Sequence, residues 1–524
     1  MYDILIKNGR VYDGTGAPWF YGDIAVKDGK IVKIGNLTTD TAKKVIDAAG
    51  LAVSPGFIDI HSHSDMSFII NPLADSKVKQ GVTTEVTGNC GSSVAPLTEM
   101  AKQYGKQLTD EDIDVTWSTM AEYFDALEEK GLSINVAGLM GHGTIRAGVM
   151  GFDRRPPTDA ELDAMKALIA QAMDDGAVGM STGLIYPPSS YADTAEIIEL
   201  AKVVSEKNGL YFTHMRNEAD ALLESVKETI EIGRQACIPV QIAHHKTVGE
   251  RNWGKVKQSL EMIVEARKQG VDVTLDQYPY IASSTSLTSI IPGWAHEGGR
   301  DALVDRLKQP ETRARLKKEV SERMGDGWVR YVISRVSKQH NKRFEGMDLA
   351  AVAKTEQKDP CDAAFDLLVD EDGNVGQIKF GMTEEDVETV MKHPLVMIGS
   401  DGSSLADYGE LGEGKPHPRN YGTFPRVLGK YSRQRGVLPL EEALRKMTSM
   451  PATRLGLWDR GVLRVGAWAD ITVFDPDTVE DVSDFQDPHK YARGIPYVIV
   501  NGALVVNEGA HTKVTPGRVL RRGK

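Results

Sequence analysis

Eight short runs rich in Val, Ile and Thr recur through the middle of this 524-residue chain, most of them followed by a helical-looking stretch. They lie at 57–61 (FIDIH), 82–87 (VTTEVT), 134–140 (INVAGLM), 177–181 (AVGMS), 210–214 (LYFTH), 239–243 (PVQIA), 271–276 (VDVTLD) and 395–400 (LVMIGS). Helices are expected between them, among others at 159–174, 194–208, 218–235 and 255–268. Strand–helix alternation is the pattern of a parallel sheet, and eight such units predict an α/β chain built as a (β/α)₈ TIM-like barrel. An open doubly wound sheet would give a similar alternation.

The two chain ends read differently. Residues 2–10 and 23–35 alternate apolar and polar side chains around Asn-Gly and Asp-Gly pairs, which signal hairpin turns. Residues 462–475 and 496–509 repeat the style. Neither end is large enough to fold alone, so both are expected to build one small β-sandwich domain, from 1–56 and 456–524, flanking a barrel at 57–455. A charged helical stretch and a strand-like WVRYVIS at about 296–345 interrupt the barrel rhythm. This segment is an insertion near the barrel mouth, either a lid or a solvated helical excursion.

A net charge of −12 argues against a nucleic-acid partner, which would need a clustered basic surface. A small-molecule substrate in a local pocket fits better, and a homo-oligomer is left open. No run approaches the ~18 apolar residues of a membrane span. Three scattered cysteines, Cys90, Cys237 and Cys361, do not make a disulfide framework. With no basic-then-apolar leader in MYDILIKNGRVYDG, the expected location is cytoplasmic.

Metal-ligand residue types fall at the C-terminal ends of the predicted strands. His61 and His63 close the first, Asn89 and Cys90 follow the second, and His214 closes the fifth. His244 and His245 close the sixth, and Asp401 the eighth. In a barrel these ends converge on one face and share a pocket. A spacing of two along a strand puts His61 and His63 on one side, able to grip one cation. Cys90 would sit there as thiolate, and thiolate with imidazoles favours zinc over magnesium or calcium. Asp401 is placed to take a proton from water activated by the cation. His142 is either a pocket or a loop residue; Cys237 and Cys361 read as packing residues.

Two look-alikes fail on context. Gly179-Met180-Ser181-Thr182-Gly183 fits a nucleophile elbow, but no helix follows it. Asp370-Glu371-Asp372-Gly373-Asn374 hints at a calcium loop, yet its twelfth position is Gly381, so a hairpin turn is the expectation.

The finer motifs are TGNCGSS (87–93), STGLIYPP (181–188), FTHMRNE (212–218), AHHK (243–246), DQYPY (276–280), GSDG (399–402) and HPRNYGTFPRVLG (417–429). With PGFIDIHSH they make the chain resemble the N-acyl-D-amino-acid deacylases, or D-aminoacylases, of the amidohydrolase superfamily, over nearly its whole length. The resemblance implies zinc-dependent hydrolysis of N-acyl-D-amino acids to a carboxylate and a free D-amino acid. It implies one tight zinc held by Cys90, His214 and His244, with His61, His63 and Asp401 around an optional second position. Asp401 would act as general base and then acid. Lys246 and Arg419 would hold the substrate carboxylate, and Tyr278 and Ser284 would line the pocket. Hydantoinase-like relatives use a carboxylated lysine on the fourth strand; here that strand reads GAVGMSTGL, without lysine, which counts against a hydantoinase- or dihydroorotase-like cyclic amidase. A dipeptidase for peptides ending in a D-residue and a non-catalytic scaffold are the other readings. The acidic segment after Asp401 departs most from the pattern.

Overall fold

The structure, a computed structural model, describes residues 1–103 and 115–523. Eight parallel strands form one sheet in sequential order: β1 (Phe57–Asp59), β2 (Val82–Thr87), β3 (Asn135–Gly141), β4 (Gly179–Gly183), β5 (Leu210–His214), β6 (Val240–Ile242), β7 (Val273–Gln277) and β8 (Val396–Ile398). Each apolar run of the sequence supplies one strand. They are fully buried because helices cover the outer face and side chains fill the inner one. The helices start where their caps say they should. Thr158 and Glu161 form a capping box at the start of Asp159–Asp174, and the Asp193 carboxylate accepts from Glu196 N at the start of Thr194–Glu206.

The sheet closes at the seam between β8 and β1, which rules out the open alternative. Asp401 N donates to His61 O (2.8 Å), and His63 N donates to Gly402 O (2.9 Å). Ser400 N donates to the Asp59 carboxylate (2.8 Å). Beneath this seam lies Lys77, fully buried, with Nζ 2.8 Å from both Asp59 Oδ2 and Ser400 Oγ, and 3.4 Å from Glu85 Oε1.

Both chain ends join in one nine-stranded sheet, in which Ile471–Phe474 pairs antiparallel with Ala52–Pro55. The strands share an apolar cluster including Ile4, Ile24, Val53, Ile471 and Ile499. Asp28-Gly29 makes the expected hairpin turn between Phe20–Lys27 and Lys30–Gly35. Asn8-Gly9 does not turn the chain. It lies inside the strand Tyr2–Val11 at an irregularity of register, where Asn8 takes a φ of 61° and its backbone N–H donates to Asp23 (2.8 Å). Asn tolerates the left-handed region, so the same dipeptide serves a bulge as readily as a turn.

Between β7 and β8 stands a third body. Its antiparallel sheet has Gly376–Phe380 in the centre, flanked by Ala282–Ser286 and Tyr331–Arg335. The helices Gly299–Lys308, Pro310–Met324, Leu349–Glu356 and Pro360–Asp370 contribute to its own apolar cluster, which runs from Leu287 to Val375. Residues 370–374 are not a hairpin turn. Asp359 caps a helix whose first residue is Pro360, that helix runs to Asp370, and the acidic stretch links it to the central strand. Among the described residues no helix is long and apolar enough to cross a membrane.

Candidate active site

The barrel mouth opens into a cavity of about 1370 Å³ whose lining includes His63, Cys90, His214, His244, Lys246, Ser284, Asp401 and Arg419. At its floor the ligand-type atoms of His61, Cys90, His244 and Asp401 all lie within 4.8 Å of one another. A second group within the same limit joins His244 to His214 and Glu218. Five different strand ends thus meet in one place.

Cys90 reaches this point because the chain after β2 is clamped. Its φ of 53° is left-handed, and Gly91 follows at 76°. Gly91 N donates to Ser181 Oγ (3.0 Å), and Gly91 O accepts from Gly143 N at the start of the helix His142–Met150 (2.8 Å). A Cβ on Gly91 would stand 2.5 Å from Gly183 N, so only glycine fits. Ser181, the central residue of the nucleophile-elbow look-alike, is this clamp; its hydroxyl donates to Gly88 O (2.5 Å).

The thiol so placed lies 3.4 Å from Nε2 of both His61 and His244. Burial alone would raise its pKa, but the charges of His61 and His244 outweigh it and hold Cys90 well below the usual thiol range. Each imidazole is oriented from behind. His61 Nδ1 lies 3.0 Å from Asp276 Oδ1, and His244 Nδ1 lies 3.0 Å from Glu218 Oε1, which leaves both Nε2 atoms facing the thiolate. Asp276 also accepts from His244 N (2.7 Å), a contact that helps hold that residue at its φ of 35°. Burial lowers the pKa of His214, whose Nε2 is buried and makes no hydrogen bond.

Asp401 bridges the two sides. Its Oδ1 is 3.0 Å from His63 Nε2 and 3.4 Å from His61 Nε2, and its Oδ2 accepts from Arg419 Nη1 (2.6 Å). Burial would raise this carboxyl, yet Arg419 and His244 hold it well below the usual carboxylate range. The donor set suits a soft-to-borderline cation: a thiolate, a carboxylate and imidazoles, one of which has an Nε2 that makes no hydrogen bond.

The other predicted site residues lie at the same mouth, though three are already engaged. Lys246 Nζ donates to Glu218 Oε1 (2.7 Å), and Arg419 Nη2 donates to Ser284 O (3.3 Å) besides its pairing with Asp401. Tyr278 is buried with a hydroxyl that makes no hydrogen bond. The Arg419 guanidinium and Lys246 Nζ stand 5.1 and 5.5 Å from its ring centre. Ser284 Oγ donates to Gln377 O (3.0 Å). His142 is drawn away from the ligand cluster, with its ring nitrogens 2.8 Å from Ser189 Oγ and 2.9 Å from Glu196 Oε1. His245 turns outward to Ser259 (2.8 Å).

Sequence reasoning passed over Asp276, Glu218 and Tyr186, whose ring packs edge-on against His214 at 5.0 Å. Asp276 is the penultimate residue of β7, and Glu218 lies four residues beyond His214. Neither carboxylate has a spacing rule along the chain, so no local signal singles it out.

The amidohydrolase family model matches residues 44–506. The chain is 39% identical to a D-aminoacylase of Alcaligenes xylosoxydans xylosoxydans, over 99% of this chain and 98% of that protein. Among solved structures it is similar to an N-acyl-D-glutamate deacylase from Bordetella bronchiseptica, complexed with zinc and a phosphonate mimic of the tetrahedral intermediate. That match has a TM-score of 0.85 and 37% identity, and covers 99% of each chain. A D-aminoacylase with a binuclear metal centre, described as activated by one metal and attenuated by a second, matches with a TM-score of 0.84 and 38% identity, over 100% of both chains. With end-to-end likeness to these enzymes, the chain belongs to the D-aminoacylase branch of the amidohydrolase family.

Proposed function

We propose that this protein is a zinc-dependent deacylase that hydrolyses N-acyl-D-amino acids to a carboxylate and a free D-amino acid. The observation that carries the reading is the Cys90 thiolate, 3.4 Å from the Nε2 atoms of both His61 and His244, with the Asp401 carboxylate beside them. Cys90, His214 and His244 would hold the tight zinc, and His61, His63 and Asp401 an optional second ion. A bound zinc supplies Lewis acidity, which polarises a carbonyl and makes water acidic enough to attack it.

The protein's own groups do the rest. Arg419 fixes the plane of the Asp401 carboxylate and keeps it ionised, so that Asp401 can accept a proton and later hand it to the departing amine. The unpartnered Tyr278 hydroxyl, between the cations of Lys246 and Arg419, is the free donor of a cradle for the substrate α-carboxylate. Both cations already carry an internal carboxylate, so the cradle holds a second anion without a large net charge. A reducing cytoplasm suits a site built on a thiolate.

The test is release of free amine from N-acetyl-D-amino acids and their L-enantiomers, with metal analysis of the same sample. Turnover confined to D-substrates with about one zinc per chain is expected. Zinc-loaded protein inactive on every D-substrate would refute the reading. Asp401→Asn is expected to lower kcat by roughly 10²–10⁴-fold.

A further inference from the structure

We infer that Lys379 selects substrates that carry a second carboxylate, acidic D-residues foremost; this rests on the deacylase reading above. The three-stranded sheet between β7 and β8 roofs the barrel mouth. Its strand Ala282–Ser286 is tied to the site twice. Ser284 O accepts from Arg419, and Thr285 Oγ1 lies 3.2 Å from the hydroxyl of Tyr186, the ring that packs on His214. On the neighbouring strand Lys379 is the direct cross-strand partner of both Ser283 and Tyr331. Antiparallel partners project to the same face, so all three side chains share one surface, and all three line the cavity. Adjacent strands lie ~4.8 Å apart, so the Lys379 ammonium reaches the substrate space from a row next to the tethers on Ser284 and Thr285.

Most cations of the cavity wall are already engaged, Arg323 with the Ile290 carbonyl and others with carboxylates. Lys246 is paired with Glu218, Arg251 with Asp220, Arg330 with Glu250 and Arg419 with Asp401. Lys379 has no carboxylate within ion-pair distance among the described residues; its ammonium lies 5.3 Å from the Tyr331 ring centre. Part of the polar capacity around it is also unspent. The Ser283 hydroxyl, on the cavity wall, makes no side-chain hydrogen bond among the described residues, whereas the Gln377 amide is already spent as a donor on Ser289 Oγ (2.9 Å). An ammonium and a free hydroxyl on one wall are groups that recognise a carboxylate. The α-carboxylate is accounted for by Tyr278 and its flanking cations, so this wall reads a different anion. It can come from the side chain of D-glutamate or D-aspartate, or from a dicarboxylic acyl group.

The experiment compares kcat/KM for N-acetyl-D-glutamate, its neutral isostere N-acetyl-D-glutamine, N-succinyl-D-leucine and N-acetyl-D-leucine, in wild type, Lys379→Met and Lys379→Glu. The wild-type Glu/Gln ratio should exceed tenfold, approach one in Lys379→Met and invert in Lys379→Glu. A preference for N-succinyl-D-leucine over N-acetyl-D-leucine that responds in the same way would place the carboxylate on the acyl group instead. Ratios near one in wild type, or ratios the substitutions do not move, overturn the inference while leaving a working deacylase. Zinc-loaded protein that hydrolyses none of the four overturns the deacylase reading, and this inference with it.

Discussion

Cys90 holds an energetically unfavourable backbone conformation that the surrounding clamps stabilise, as expected where a fixed side chain position matters more than local comfort. The Cys90→Ala protein should fold, since the Gly91 clamps are backbone contacts, but should lose its tightly held zinc and nearly all activity. His61→Asn should weaken activity while one zinc stays bound; metal analysis after dialysis separates the two outcomes. Asp276 acts one step further back. It anchors His61 through Nδ1 and His244 through its backbone N–H, so Asp276→Asn disturbs two imidazoles at once. Losing such an outer partner typically costs 10–100-fold in metal affinity, measurable by competition with a chelator. The candidate ligands could be read from the sequence because each closes or shortly follows an apolar run. Asp276 and Glu218 were harder, because a carboxylate behind a histidine has no spacing rule along the chain and is defined only by the fold that brings it there.

At the scale of elements the weak point of the barrel is the β8–β1 seam, where backbone pairing is sparse and Lys77 supplies a tie. Its ammonium is the buried counter-charge for Asp59 and Glu85, and Glu85 already has carboxylate oxygens without hydrogen bonds. Breaking a buried pair costs about 3–5 kcal/mol, so Lys77→Met should lower the chemical-denaturation midpoint steeply, more than any surface lysine substitution. A second buried lysine gives a pH signature. Lys446, on the helix Leu440–Met447, donates to Val396 O at the start of β8 (2.9 Å), and burial pulls its pKa down to about 8. Because that value lies below the unfolded one near 10.4, the unfolded chain binds more protons between them, and stability attributable to Lys446 rises across that window. Wild type should therefore gain on Lys446→Met by the order of 1–3 kcal/mol between pH 8 and pH 10, read from paired denaturation curves. The strand count was legible because fully buried strands advertise themselves as unbroken apolar runs. The seam was not, since residues 59, 77, 85 and 400 meet only when the sheet closes on itself.

On the scale of the whole molecule the two chain ends are structural partners of the barrel. Ala52–Pro55 is flanked by Tyr2–Val11 on one side and Ile471–Phe474 on the other, so neither end completes the sheet alone. The paired hairpin signals made that meeting legible from the sequence, and we propose the divisions near residues 56 and 456 on the same ground. Residues 516–520 do something no local pattern announces: they dock on the entry to β3. Val136 N donates to Arg518 O (2.9 Å), and Leu520 N donates to Val136 O (2.7 Å). The buried Asn135 side chain accepts from Arg518 N (3.1 Å) and from Asn501 Nδ2 (2.7 Å). The polar tail, rich in Arg and Gly, gives no strand signal because its backbone pairs with β3 and its approach, not with a neighbour along the chain. A chain ending at residue 455 leaves Ala52–Pro55 without its neighbour and should be insoluble. A chain ending at residue 514 keeps the nine-stranded sheet and the site, and loses only the tail contacts. Each buried polar group left unpaired costs about 1–3 kcal/mol, so this shorter form should bind zinc at wild-type stoichiometry yet unfold at distinctly lower denaturant. Zinc content and a denaturation midpoint on the same preparation check both halves. Equal midpoints would mean that the tail merely rests on the barrel, and lost zinc would mean that β3 transmits its support to Cys90.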